Sequence, residues 1–367
     1  MANFAIGVDL GGTNLRIAAV DETGLLLEKV TTLARLALGR DQVISDMCDA
    51  IRQLTTKFKA SGTLMGVGVG IPGIIDMETG LLRESPNLPG WAEYPVREDI
   101  ERRLNAPVIL ENDANAAALG EKWLGAARDV NDMAILTLGT GVGGGLVLRG
   151  RIWHGMTGMA GEFGHITVDP DGPRCKCGNS GCVEMFASAT AVLRMAREAI
   201  ASGKAPQLAR AAHSDPEFSA KVVYNLGIQG DQAAREIFRQ VGIALGIVVG
   251  DLVNALNLPM YVIGGGVSSA WEAFSPSLLD ELRKRSMVYA ATAPIIKAAT
   301  NPGSSSPAAP KTSSGAASQV HAEGSGRKTV VTRAVLGSDA GLYGAARLPM
   351  LAGDPAWDCE LAEGKRA

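Results

Sequence analysis

The sequence predicts an α/β protein with two domains that face each other across a cleft. The chain has 367 residues, of which 46% are hydrophobic, so it is too long for one ordinary core and apolar enough to form two. Predicted strands alternate with predicted helices along the chain. Two glycine-rich hairpins of one design, at 4–20 and 133–148, lie about 130 residues apart, which indicates a duplicated unit.

Each hairpin is predicted from alternating apolar residues on either side of a glycine turn. The first turn is Gly11-Gly12-Thr13-Asn14 and the second is the stretch 139–145. The other predicted elements, in chain order, are a helix at 42–59, a buried strand at 64–70, turns at 72–91, a helix beginning near Asp113, helices at 187–202 and 231–257, a strand at 260–263, a strand at 329–336 and a helix at 341–348.

This pattern divides the chain into two predicted domains, an N-terminal one at 1–120 and a larger C-terminal one at 121–348. Residues 301–328 are rich in Ser, Ala, Pro and Gly and nearly free of bulky apolar side chains. Such a segment cannot bury enough surface to offset its ordering entropy, so we expect a flexible insertion there. A loose tail is expected at 349–367.

Charge and hydropathy favour a cytoplasmic protein that acts on small molecules. The chain carries 35 basic and 38 acidic residues, well mixed, which argues against a nucleic-acid partner. The start of the chain does not resemble a signal peptide. The most apolar later stretch, 241–258, is interrupted by Asp251, Asn254 and Asn257, which argues against a membrane span.

Glycine turns let backbone N–H groups approach phosphate oxygens closely, although a tight turn requires glycine whether or not anything binds. The segments 68–73 and 139–144 both match GxGxxG, but neither opens a helix, so a dinucleotide-binding fold is not indicated. No GxxxxGK[ST] motif is present, which excludes the P-loop class.

Three cysteines within eight residues, Cys175, Cys177 and Cys182, follow His165 by ten or more positions. Three thiolates and one imidazole make a closed tetrahedral zinc site, and a closed site is structural rather than catalytic. A zinc-bound His165 would also have its second ring nitrogen fixed in direction. The alternative is three unrelated thiols of a reducing compartment.

Three segments together resemble the nucleotide-binding segments of the actin, hexokinase and Hsp70 superfamily, which has a ribonuclease H-like fold. They are Asp9-Leu-Gly-Gly-Thr13, the turn at 139–145 and Gly264-Gly265-Gly266. Gly161-Glu-Phe-Gly-His165 followed by the motif Cys175 to Glu184 resembles the ROK family of bacterial sugar kinases and sugar-responsive repressors. This resemblance implies ATP with Mg²⁺ as co-substrate. Within it, the ATP site would comprise Asp9, Gly11, Gly12, Thr13, Asn14, Thr140, Gly141 and Gly265.

The same resemblance implies that Asp113 is the general base for the acceptor hydroxyl. By composition alone Asp113 could simply cap a helix, and the two roles are compatible. Residues that would hold sugar hydroxyls are Asn87, Asn112, Asp113, Glu162, His165 and Glu184. For Asn87 the alternative is a plain turn, and for the two glutamates it is a solvated surface carboxylate.

Pro86 to Trp91 and Glu111 to Asn115 look most like the glucokinase branch, so glucose is the expected acceptor and a homodimer the expected assembly. N-acetylglucosamine, N-acetylmannosamine and other hexoses remain alternatives, as does polyphosphate as donor. A sugar-sensing repressor is disfavoured, because the phosphate turn begins near residue 10 and leaves no room for a preceding helix-turn-helix. A catalytically silent sugar-binding protein is the last alternative.

Overall fold

The computed structural model describes residues 2–294 and 328–352, so nearly all of the predicted insertion and most of the predicted tail lie outside the described residues. The strands are β1 (Ala2–Leu10), β2 (Asn14–Asp21), β3 (Leu26–Leu33), β4 (Gly62–Ile71), β5 (Ile74–Asp76), β6 (Leu81–Glu84), β7 (Val108–Asn112), β8 (Met133–Leu138), β9 (Val142–Leu148), β10 (Arg151–Ile152), β11 (Met260–Gly264) and β12 (Val330–Arg333). The helices are α1 (Arg40–Phe58), α2 (Val96–Leu104), α3 (Asp113–Trp123), α4 (Glu184–Ala187), α5 (Ala189–Ala201), α6 (Pro206–Ser214), α7 (Ala220–Ile228), α8 (Gln232–Leu256), α9 (Trp271–Arg285), α10 (Met287–Thr292) and α11 (Ala340–Leu351). Short 3-10 turns lie at Leu36–Leu38, Phe163–His165, Gly266–Ala270 and Gly337–Asp339.

Two five-stranded sheets have the same strand order. The first runs β3-β2-β1-β4-β7 and the second β10-β9-β8-β11-β12. In each sheet the first three strands are antiparallel and the remaining strands run parallel to the central one. The predicted duplication and the predicted α/β architecture are confirmed.

Both faces of the first sheet are buried, which explains why its central strands are almost continuously apolar. Successive side chains of a strand point to opposite faces, and β2 follows this rule. Ile17 and Ala19 join the core that includes side chains of α1, whereas Ala18 and Val20 join Leu342 of α11. The first sheet is therefore a middle layer between helices.

The second sheet is covered in the same way. Leu136 and Leu138 of β8 belong to a core that includes Val248 of the long helix α8. Met133 and Ile135 face the other side, where they meet the alanines of α3. Since α3 begins where β7 of the first sheet ends, one helix connects the two sheets.

Close approach of α3 and α11 depends on glycine. A Cβ added to Gly344 of α11 would lie 1.6 Å from the carbonyl oxygen of Ala116, and one added to Gly120 of α3 would lie 2.1 Å from that of Ala340. A Cβ added to Gly68 of β4 would likewise lie 1.8 Å from the carbonyl oxygen of Ala345 in α11. Backbones that pack at this distance exclude any side chain.

Several element boundaries differ from the predicted ones. The stretch at 72–91 contains the hairpin of β5 and β6, and α6 and α7 occupy a region for which no element was predicted. Helix α11 continues through Pro349 to Leu351, three residues beyond the predicted end. The ring of Pro349 lies against β4, where a Cβ added to Gly66 or Gly68 would come within 2.9 or 3.2 Å of it.

The predicted division of the chain at residue 120 stays a prediction. In the structure this residue lies inside α3, and α11 returns from the end of the chain to pack on the first sheet. Across residues 2–294 and 328–352, none of the helices is both long and apolar enough to cross a membrane.

We predict that Gly344→Ala destabilises the protein by about 1–3 kcal/mol or more, because the new methyl group would force α3 and α11 apart. Gly227→Ala in α7 is the matched control, since a Cβ there would meet its nearest atom at an ordinary 3.6 Å. That control should be neutral or slightly stabilising, because alanine is a better helix former. Urea unfolding of both variants measures the difference, and equal stability of Gly344→Ala and the unaltered protein would contradict the packing argument.

Candidate active site

Asp113 is the first residue of α3 and directly follows β7, as predicted for the start of this helix. The N-cap position belongs to Asn112, so the capping alternative for Asp113 is wrong. The Asn112 Oδ1 accepts hydrogen bonds from the backbone N–H groups of Ala114 (2.9 Å) and Asn115 (3.3 Å), and its Nδ2 donates to the Gly73 carbonyl (3.2 Å). One oxygen of Asp113 accepts from the Ala114 N–H at 2.9 Å.

Strand ends of both sheets enclose the first turn of α3. A Cβ on Gly70 of β4 would lie 3.7 Å from the Asp113 Cα, and one on Gly143 of β9 would lie 3.1 Å from the Ala114 Cβ. The 3.1 Å contact is tighter than usual, so Gly143 lets the helix start lie close to β9, whereas the contact at Gly70 is an ordinary one. Asp113 is thereby placed at the boundary of the two sheets.

The pKa of Asp113 is raised to about 6, mainly by burial and in addition by the negative charges of Asp9 and Glu162, against the lowering effect of the Ala114 N–H. A carboxyl with a pKa near 6 is ionised at neutral pH, yet is a stronger base than an ordinary aspartate.

The turn between β1 and β2 is closed by a hydrogen bond from the Gly11 N–H to the Asn14 carbonyl (2.9 Å). A Cβ on Gly12 would meet nothing within 4 Å, and Thr13 is exposed. The backbone of this turn is therefore open to an approaching group. Such open glycine turns can hold phosphate oxygens.

Asp9 lies at the end of β1, just before this turn. Its Oδ2 accepts a hydrogen bond from Arg16 Nη1 at 2.9 Å. Burial raises the pKa of Asp9, and although Arg16 lowers it, the charge of Asp339 adds to the increase. Partly buried acidic side chains beside an open turn suit a site that receives a cation together with phosphates.

The turn between β8 and β9 has a matching design. The Gly139 N–H donates to the Gly141 carbonyl at 2.9 Å, while Thr140 is exposed. The start of α5 fixes this turn, because the Ala189 N–H donates to the Gly139 carbonyl (2.8 Å) and the Thr190 hydroxyl to the Thr140 carbonyl (2.8 Å). Both segments predicted to contact phosphates therefore form turns in the structure, and the two turns are closed by similar backbone hydrogen bonds.

Glu184 contacts the second turn from the side. Its Oε2 accepts the Val142 N–H at 2.9 Å, and a Cβ on Gly141 would lie only 2.3 Å from this oxygen. Its Oε1 lies 4.0 Å from Cys175 Sγ. Glu184 thus links the turn to the cysteine cluster, and its predicted contact with a sugar hydroxyl stays a prediction.

The four predicted metal ligands come together. The ligand atoms of His165, Cys175, Cys177 and Cys182 all lie within 4.8 Å of one another. The Cys177 and Cys182 sulfurs are 3.7 Å apart, and Cys175 Sγ is 3.6 Å from His165 Nδ1. Metal–sulfur bonds of about 2.3 Å and metal–nitrogen bonds of about 2.0 Å in a tetrahedron require separations of roughly 3.6–3.8 Å. The cluster can therefore hold a tetrahedral metal ion.

The two ring nitrogens of His165 face different partners. Nδ1 faces the Cys175 sulfur, and Nε2 lies 3.8 Å from Glu162 Oε2. If Nδ1 is held by a metal ion, Nε2 stays on the side of Glu162. The predicted contact of His165 with a sugar hydroxyl stays a prediction.

Asn87 and Gly265 lie on separate segments. Asn87 is exposed on the turn between β6 and α2, and its predicted place at the sugar stays a prediction. Gly265 has φ +81°, and a Cβ there would lie 2.5 Å from backbone atoms of Leu138. It therefore brings the segment after β11 close to the strand that leads into the second turn.

Two polar side chains beside Asp113 were not predicted from the sequence. Glu111 is buried, and its Oε2 accepts a hydrogen bond from His154 Nε2 at 2.7 Å. The available signal was the position of Glu111, a carboxylate at the end of an apolar strand next to Asn112 and Asp113. His154 lies in a loop, and nothing in its local sequence indicates this partner.

The structure places a carboxylate of raised pKa at the boundary of two sheets, each of which carries an open backbone turn. A hydroxyl near Asp113 could lose its proton to the carboxylate while an anionic group is held at the turns. The negative charge of Glu162 in the neighbouring polar loop adds to the raised pKa of Asp113. Such an arrangement suits transfer of an anionic group to a hydroxyl.

A model of the ROK family matches residues 5–309. Among curated proteins, a glucokinase of Halalkalibacterium halodurans is 39% identical over 287 residues, which cover 78% of this chain and 86% of that protein. A xylose repressor of Caldicellulosiruptor bescii is 31% identical over 284 residues, which cover 77% of this chain and 71% of the repressor.

The solved structure of a ROK family glucokinase from Streptomyces griseus, in complex with glucose and AMPPNP, has the same fold. It superposes with a TM-score of 0.71 and is 31% identical, and the match covers 94% of this chain and 98% of that one. Similarity in sequence and structure therefore extends over most of the chain.

Proposed function

Because the chain belongs to the ROK family, we propose that it is a sugar kinase that transfers the γ-phosphoryl group of ATP to glucose, giving glucose 6-phosphate. The resemblance predicted from the Gly161-to-His165 segment and the cysteine motif agrees with the family match over 5–309. The glucokinase at 39% identity supports glucose over other hexoses.

The position of Asp113 is the observation that carries this proposal. Its raised pKa suits a general base, and strands of both sheets lie against the first turn of the helix that it begins. Phosphoryl transfer requires little more of the protein than positioning, charge stabilisation and a carboxylate near the attacking hydroxyl. Asp113 would accept the hydroxyl proton as the hydroxyl oxygen attacks phosphorus.

The two turns would hold ATP. Open backbone at Gly12 and the exposed hydroxyls of Thr13 and Thr140 would contact phosphate oxygens, and the turn at Gly265 would lie beside adenosine. Asp9 would orient the Mg²⁺ that accompanies ATP. This ion supplies neutralisation of phosphate charge when bound.

Glucose would bind on the side of Asp113 that faces the loop of Glu162 and His165. Carboxylates, amides and imidazole can each pair with hydroxyls that both donate and accept. Asn112 has one amide hydrogen left after its bond to Gly73, and Asn87 and Glu184 would complete the site. N-acetylglucosamine and N-acetylmannosamine remain the alternative acceptors.

The cysteine cluster would hold a structural zinc ion. Three thiolates and one imidazole are the donor set that zinc prefers, and four protein ligands leave no open coordination position. Zinc bound there would fix His165 Nδ1 and so direct Nε2 toward the sugar. The cytoplasmic location and the homodimer stay predictions.

The proposed reaction predicts that the protein releases ADP with glucose and that Asp113→Asn lowers kcat by about 10²–10⁴-fold, since the acceptor proton has no base to receive it. Asp129→Asn, at an exposed aspartate, is the matched control and should remain active. A coupled ADP assay with glucose, N-acetylglucosamine, N-acetylmannosamine, mannose and fructose measures both rate and preference.

Two outcomes of this assay would contradict the proposal. Absence of ADP release with all five sugars would favour a sugar-binding regulator or a silent sugar-binding protein. Near-normal turnover of Asp113→Asn would remove Asp113 from the role of base.

A second prediction concerns the metal. The unaltered protein should contain about one zinc ion per chain, and Cys177→Ala should lose it and raise KM for the sugar, because His165 is no longer held. Cys177 is exposed, so its loss removes little packing. Cys48→Ala, at a buried cysteine of the first core, should keep its zinc. Zinc content and the KM for the sugar are measured for each variant. Loss of zinc with an unchanged KM for the sugar would refute the proposal that the ion holds His165 in place for sugar binding.

A further inference from the structure

Glu111 is a buried carboxylate whose oxygens both have partners. Its side chain is 2% exposed. The Oε1 accepts hydrogen bonds from the Asn112 N–H (2.9 Å) and from Asn115 Nδ2 (3.0 Å), and Oε2 accepts from His154 Nε2 (2.7 Å). A carboxylate that leaves water must be matched by donors in this way.

Two of the three donors belong to the segment that forms the start of α3. Glu111 is the second-last residue of β7 and pairs with Gly70 of β4, so the first sheet fixes its backbone. Through Asn112 and Asn115 its carboxylate also holds the residues on either side of Asp113. The position of Glu111 is therefore tied to that of the proposed base.

The third donor comes from the other half of the fold. His154 follows β10, which pairs with β9 of the second sheet. It begins the loop that ends with Glu162 and His165, and its carbonyl accepts the Ala160 N–H at 3.1 Å. One hydrogen bond to Glu111 thus connects the loop that carries proposed sugar ligands to the strand that ends at the base.

We propose that Glu111 and His154 are positioning residues, and that their hydrogen bond sets the distance between the sugar-binding loop 155–162 and Asp113. This proposal rests on the proposed kinase function and deepens it. Neither side chain needs to touch the sugar. A shift of the loop by an ångström would separate the sugar from the base, and rates depend steeply on such distances.

The test compares His154→Phe, which keeps a ring but no donor, with His154→Gln, whose amide can donate from a similar position. His154→Phe should raise KM for glucose about tenfold or more and lower kcat, while KM for ATP stays within about twofold of the unaltered value. His154→Gln should recover most of the glucose affinity and of kcat that the Phe variant loses. His213→Phe, at an exposed histidine of α6, is the control and should resemble the unaltered protein.

Amide hydrogen exchange in residues 155–162 provides a readout that does not depend on activity. His154→Phe should speed exchange in this loop about tenfold, and His154→Gln should not, because only the former frees the loop from Glu111. If His154→Phe does not fold, Glu111→Gln replaces it. The new amide would oppose the His154 N–H and should loosen the same loop.

Unchanged glucose KM together with unchanged loop exchange in His154→Phe would overturn the proposal. Equal impairment of the folded Gln and Phe variants would also overturn it, since the hydrogen bond could not be the cause. A protein without kinase activity would instead refute the proposed function, and the exchange measurement would still decide whether the pair holds the loop.

Discussion

The site depends on the tight packing of one helix, α3, against both sheets and against α11. A Cβ on Gly143, Gly120 or Gly344 would press on that helix or on its partner α11, so side chains at these three positions would oppose the approach. Because α3 begins at Asp113, this packing fixes the carboxylate at the boundary of the two sheets. The glycine turns at the ends of β1 and β8 occupy matching positions in the two sheets, because the strand order is the same.

Acidic side chains from both halves of the fold act on Asp113. Asp9 comes from the first sheet and Glu162 from a loop of the second half, and their charges, together with burial, raise the pKa of Asp113. The cysteine cluster contacts one ring nitrogen of His165, and the other ring nitrogen lies 3.8 Å from Glu162. Glu184 joins that cluster to the second turn, so contacts extend from the cysteines to the proposed phosphate site.

Much of this arrangement could be predicted from the sequence, because the signals are local. Glycines between two apolar strands predict each hairpin, and the spacing of the three cysteines and His165 predicts the metal-ligand cluster. What could not be predicted depends on distant segments that meet only in the folded chain. The pairing of His154 with Glu111, 43 positions apart, is one case. Another is Glu184, whose bond to the Val142 N–H has no signal in either segment. The N-cap is Asn112 rather than Asp113. The sequence could not distinguish the two positions, because adjacent Asn and Asp residues have similar N-cap propensity.

The pH dependence of kcat/KM for glucose tests the central claim, that burial and nearby charge make Asp113 the base. Asp113 must be ionised to accept a proton, so the rate should fall about tenfold per pH unit below a midpoint of about 6. Glu162→Gln removes a negative charge that raises this pKa, so its midpoint should move to lower pH, while Glu98→Gln on the exposed face of α2 should leave it in place. A midpoint at the ordinary aspartate value, or one that Glu162→Gln does not move, would contradict the account.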